Sequence, residues 1–180
     1  MFASKRLLDD PLRTVAIPDA LESFFNVLLD VAIRFLPNNI PCISSFIYAY
    51  FEAHARNAQE LPCAGSLKSQ AMTQGILNLA SLSDSTESIA LRFATSSDPK
   101  QGSSEDRHPI NDIFDELLCW IRTSYTPGYL LDSPQALHIF HNLKSHIAMG
   151  NLLLTHIGRP DWPSQDKRLG DPESTAVARA

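Results

Sequence analysis

Six histidines, His54, His108, His138, His141, His146 and His156, are the natural starting point for chemistry in this chain. Histidine is the side chain whose ordinary pKa places its charge change near neutrality, so it serves acid/base work and metal binding alike. A helix turns by about 100° per residue. On a helix through the last histidines, that rotation puts His146 on one stripe with Ile139, Leu143, Gly150, Leu153 and Ile157. On an earlier helix, His54 continues the row Ile43, Ile47, Tyr50. The expectation is that His54 and His146 point inward from different helices. They would serve as an acid/base pair, or as ligands to a metal or haem, in a pocket that also holds Trp120. The competing reading is two buried histidines, each satisfied by a nearby carbonyl or hydroxyl.

His138 and His141 stand three residues apart, which lets both rings approach one ion. Zinc needs four ligands, or three and a water. The sequence offers no HExxH and no paired Glu-x-x-His, so no metal centre and no cofactor are expected. Asp112, Asp115 and Glu116 form a carboxylate group at a helix start, where the helix dipole alone accounts for acids. The three cysteines, Cys42, Cys63 and Cys119, have no CxxC spacing. The nucleophile elbow G-x-S-x-G and the two glycine-rich nucleotide loops are absent as well. Tyr48 and Trp120 fall at the polar margins of their helices and Tyr125 near a helix end. These three are the candidate contacts for a ligand or partner, because aromatic side chains dominate interface hot spots.

Positioning these residues requires helices. Pro18 and Asp19 open the first clear one, with Leu21, Phe24, Phe25, Leu28, Ala32, Phe35 and Leu36 at three-and-four spacing. Glu22, Asn26, Asp30 and Arg34 give it a narrow stripe that reads as solvent-facing, so the helix is expected at the centre of a bundle. A second helix follows Pro41 and runs to about Gln59. A third runs from Ser66 to about Leu82 and contains Gly75, read as a kink or a close helix contact. A short fourth starts at the Asp84–Glu87 capping pattern and carries Ile89, Ala90 and Phe93. A fifth begins at Asn111, and a long sixth runs from Pro134 to the Gly158 stop. Strand signals are nearly absent.

The fold class is therefore all-α: a single-domain bundle of about six helices with a long polar loop before the fifth. Residues 1–17 are an arm, 18–158 the helical domain with a flexible loop over 95–109, and 159–180 a polar tail from which Trp162 is expected to dock back. The size supports this, since 180 residues with 44% hydrophobic and 19% charged side chains suffice for a packed core. A net charge of −5 with no basic cluster argues against nucleic acid or an anionic membrane as partner. No apolar run reaches the roughly 20 residues that span a bilayer. The start lacks an apolar signal region, so a cytoplasmic or nuclear location with reduced thiols is expected.

Two functional classes follow. The first is an intracellular protein-interaction or regulatory module, working as a homodimer, because the first two helices are apolar over more of their circumference than a small bundle needs. The second is a small helical enzyme or carrier of an apolar ligand, with its pocket near His54, Trp120 and His146.

Overall fold

The structure is a computed structural model, and it describes residues 2–58, 60–80, 89–95, 107–127 and 133–163. It is mostly helical, with a small two-stranded sheet. The elements in chain order are α1 (Lys5–Asp9), α2 (Ile17–Phe35), α3 (Ile43–Ile47) running into a π-turn (Tyr48–Glu52), β1 (His54–Arg56), β2 (Pro62–Ala64), α4 (Ser66–Gln74), α5 (Ile110–Tyr125), α6 (Pro134–Asn142) and α7 (His146–Ile157).

Helix α2 starts where the proline predicts. Pro18 sits in the first turn, and the Asp19 carboxylate accepts the Ala16 N–H at 2.9 Å. Asn38 ends the helix by donating to the carbonyls of Ile33 and Leu36 at 3.0 and 2.9 Å. Helix α5 packs against α2, α4, α6 and α7 and is the hub of the core. Its Phe114 meets Phe25 edge-on at 5.6 Å and Phe93 at 5.3 Å, the offset geometries that aromatic quadrupoles favour. One continuous apolar cluster runs from Leu21 and Phe25 through Phe46, Met72 and Leu117 to Leu152.

Four expectations need correction. The second helix does not reach Gln59. It widens into the π-turn at Tyr48, a form in which adjacent Tyr50 and Phe51 are both buried. Phe46 and Tyr50 stack with centroids 5.5 Å apart. The chain then turns into β1, paired antiparallel with β2. Gly65 follows β2, and a Cβ there would lie 2.6 Å from the Ala53 carbonyl oxygen, so only glycine permits the approach.

The third helix stops at Gln74. Gly75 has φ +72° and its N–H bonds to the Ala71 carbonyl, so it is a left-handed cap rather than a kink. The fourth helix is not formed at its apolar end. Residues 81–88, with the Asp84–Glu87 pattern, lie outside the described residues, but 89–95 are extended. They bridge Asn78 through Ala90, Asn38 through Phe93, and Arg107 through Ala94. Leu91 and Phe93 are buried with Arg92 exposed between them, the alternation of a strand.

The last helix is two helices. Leu143 caps α6 and is buried at the corner, and the Ser145 hydroxyl starts α7 by accepting the Ile147 N–H at 3.1 Å. An apolar pattern that continues in register across a corner does not reveal the corner.

Residues 96–106, most of the expected loop, lie outside the described part, as do 128–132 and the tail after 163. Trp162 docks as expected. Its indole N–H donates to the His156 carbonyl at 2.6 Å, and its ring stands edge-on to His108 at 5.2 Å.

Candidate functional site

The arm is not free. Residues 2–9 lie in a seat formed by α2, the π-turn, α4 and the end of α5, and the seat is lined by buried polar side chains. Asp19, Glu22 and Asn26 come from successive turns of α2, so their spacing of three and four places them on one face. Tyr50 comes from the π-turn, Lys68 from the first turn of α4, and Tyr125 is the last residue of α5.

Most of these groups read the arm's main chain. One oxygen of Glu22 accepts the Lys5 N–H at 2.6 Å, and the other accepts the Tyr125 hydroxyl at 2.6 Å. Asn26 donates to the Phe2 carbonyl at 3.2 Å, while its own oxygen accepts the Tyr50 hydroxyl at 3.0 Å. Lys68 donates to the Ala3 carbonyl at 3.0 Å. Two arm side chains complete the fit. The buried Ser4 hydroxyl donates to Asp19 at 3.0 Å, and Asp9 accepts the Ala64 N–H at 3.0 Å. Phe2 stands edge-on to Phe51 at 5.5 Å, and the Arg6 guanidinium lies 4.1 Å from the centre of the Tyr125 ring.

Burial sets the electrostatics of this seat. It pushes the Glu22 carboxyl above its ordinary range, against the Tyr125 and Lys5 hydrogen bonds and the charges of Lys68 and Arg6. It pushes Lys68 down to about 8, against the attraction of Glu22. Burial, followed by the Glu22 charge, raises both Tyr50 and Tyr125, so both phenols stay protonated and act as donors. The result is a fixed set of donors and acceptors complementary to an extended backbone, and the arm fills it.

A second feature lies on the opposite side of α2. Phe24, Val27, Val31 and Phe35 form an exposed apolar stripe at three-and-four spacing, from 42% exposed at Val27 to 60% at Phe35. Helix α7 packs on α2 and carries exposed Ile147 and Leu154 of its own, with open space in front of Gly150. The stripe of Glu22, Asn26, Asp30 and Arg34 was expected to face solvent. Its first two residues are buried under the arm, while Asp30 and Arg34 make the expected pair at 3.1 Å. Of the expected apolar face, Leu21, Phe25 and Ala32 are buried while Phe24 and Phe35 are exposed, and Glu22 and Asn26 are covered because the arm supplies partners that the sequence of α2 does not mention.

The other candidates fall as follows. His54 is exposed on β1 and His146 is exposed at the first position of α7, so neither points inward. The strand and the helix break remove the helical registers that aimed them. Trp120 is buried in the core rather than at a margin. Tyr48 is 63% exposed, and Tyr125 is half-buried in the arm seat. His138 and His141 are both exposed on α6, and among the described residues no group of three His, Cys, Asp or Glu side chains could hold a metal ion. A cleft of about 110 Å³ lies between Gly75–Leu77, Ala90–Phe93 and α5, and His54, Trp120 and His146 do not line it.

The carboxylates at the start of α5 are ion-paired. Asp112 meets Arg107 at 2.7 Å and Arg159 at 2.6 Å, and Asp115 meets Arg107 at 2.8 Å and Arg92 at 3.1 Å. Burial works to raise the Asp112 pKa, but the Arg159 bond and the charges of Arg107 and Arg159 outweigh it and hold it low. This network clips three segments to one helix end.

Sequence reasoning missed Ser4, Asp19, Glu22, Asn26 and Lys68. Only the repeated spacing of Asp19, Glu22 and Asn26 on one helix signalled them. It also missed His108, fully buried, whose Nδ1 accepts the Ile110 N–H at 3.0 Å. No protein-family model matches the chain, and no curated protein or solved structure is significantly similar to it.

Proposed function

We propose that this chain is an intracellular α-helical protein-interaction module that works as a homodimer, with the outer face of α2 as its contact surface. The observation that carries the reading is the stripe Phe24, Val27, Val31, Phe35 on the outer face of α2. Exposed apolar side chains are ordinary when scattered, but a contiguous stripe on the longest helix is the usual mark of an interface. Its residues repeat at the spacing that lets two helices interlock, and a two-fold contact uses the same patch twice. Exposed Tyr48 is a further aromatic contact of the kind interfaces favour. The same reading takes the helices as one single-domain bundle. It places the protein in the cytoplasm or nucleus, in keeping with three unpaired cysteines. No helix among the described residues is long and apolar enough to cross a membrane.

The reading as an enzyme or ligand carrier lacks a matching observation. The 110 Å³ cleft is well below the roughly 300–1,000 Å³ of small-molecule sites, and the expected pocket residues are dispersed. The test is sedimentation velocity of the untagged chain beside Val31→Lys and Phe35→Glu. Both positions are exposed, so folding should change by no more than about 0.5 kcal/mol while the dimer is lost. Unchanged self-association in both variants would move the contact elsewhere.

A further inference from the structure

The seat of the arm has a property that a plain two-helix contact does not need: its bonds to the arm are made to a short segment, residues 2–9. The arm is joined to α2 by the linker Asp10–Ala16, which is tied to the start of α2 at its far end, where the Arg13 guanidinium lies 3.6 Å from the Asp19 carboxylate and the Ala16 N–H bonds to it at 2.9 Å. Arg13 N–H donates to the Asp10 carbonyl at 3.3 Å and Leu12 N–H to the Asp10 carboxylate at 3.2 Å, closing a turn around Pro11. Leu12 in this turn is 96% exposed and Val15 is 63% exposed.

We propose that two copies exchange their arms, so that in the dimer the arm of each chain fills the seat of the other. The partner is a second copy of this chain, and the inference rests on the homodimer reading above.

Three observations support it. First, the seat must be filled. Glu22, Asn26 and Lys68 are buried beneath the arm, and removing it takes away main-chain partners from polar groups out of reach of water. An identical arm replaces its own without changing a single bond, which is what makes exchange between protomers easy. Second, opening the Pro11 turn supplies reach: seven residues in extended form span about 24 Å. Third, the linker joins the first turn of α2, and the apolar stripe begins at Phe24, two turns further on. A copy docked on that stripe lies beside the linker, so exchange covers Leu12 and Val15 in the same interface.

The test uses the full chain with Cys42 and Cys119 changed to Ser and Asp10→Cys added. Asp9 bonds the Ala64 N–H, so a thiol at position 10 lies close to Cys63, either of its own chain or of the chain whose seat the arm occupies. A short flexible bismaleimide then joins the two, and a denaturing gel reads the result. The expected product is a covalent dimer, present at concentrations where sedimentation shows a dimer. A sedimenting dimer that yields only internally cross-linked monomer overturns the exchange and leaves the α2 contact standing. Covalent dimer that persists at full yield in Val31→Lys supports exchange and overturns the α2 contact. A monomer with internal cross-links overturns both.

A second variant tests the linker itself. The double substitution Pro11→Gly, Leu12→Gly keeps the length of the linker and removes the turn and the Leu12 contact. It is expected to leave the exchanged dimer in place but weaken it by about threefold or more, and a folded chain that is monomeric at the concentrations where the parent is a dimer, with its arm still cross-linked internally, overturns the exchange.

Discussion

Lys68 shows how much of this molecule is decided by single buried groups. It is 1% exposed and its folded pKa is about 8, against 10.5 for a free lysine. The folded state therefore releases this proton more readily than the unfolded chain, and stability rises with pH from about 8 towards 10.5. Above 10 the effect reverses. Tyr50 and Tyr125 hold their protons in the fold and lose them when unfolded, so they favour unfolding there. Cys42 is exposed, and bonds from Ser44, then Ser45, lower its thiol to about 7, so it is best removed from the measurement. In a Cys42→Ser chain the melting temperature should rise between pH 8 and 9 by an amount equivalent to about 1 kcal/mol, and Lys68→Met should flatten the rise. A flat profile in the parent would mean that Lys68 is not desolvated as described. None of this was legible beforehand. Nothing in the sequence around Lys68 marks it for burial, and only the docked arm makes it a buried donor to Ala3. Among the residues that were singled out, Tyr125 is engaged in the seat, through Glu22.

At the scale of elements, the sequence was most informative where local chemistry and tertiary packing agree. Pro18 and Asp19 started α2, Ser133 and Pro134 started α6, and the acids following Ile110 opened α5. It was least informative where a short segment serves a distant neighbour. Leu91 and Phe93 look helical with Ile89 and Ala90, yet they alternate as a strand does, because their backbone pairs with 77–79, Asn38 and Asn39. The two glycines beside α4 separate two kinds of constraint. At Gly65 the obstacle is the rigid Ala53 carbonyl, 2.6 Å from any added Cβ. At Gly75 it is the left-handed φ of +72°, with the nearest atom in the flexible Arg122 side chain at 3.2 Å. Gly75→Ala should cost about 1 kcal/mol and lower the melting temperature by about 2–4 °C. Gly65→Ala should cost at least about twice as much, because backbone must move. Urea denaturation of both variants checks the order, and equal effects would contradict the close approach at Gly65.

For the whole molecule, the central point is that α2 does more than pack Leu21, Phe25, Leu29 and Ile33 into the core. One face holds the arm through Glu22 and Asn26, and another presents Phe24, Val27, Val31 and Phe35. The excess of apolar residues around this helix was visible in the sequence, and it led to the expectation of a dimer. Which side was wet was not visible, since a polar stripe looks the same whether water or an arm satisfies it. The most direct measurement is sedimentation velocity of the untagged full chain across a range of micromolar concentrations, with Val31→Lys alongside. The expected result is a species of twice the 20.0 kDa chain mass for the parent and a folded monomer for the variant. A parent that remains at 20.0 kDa throughout would contradict the assignment of α2 as an interface between copies.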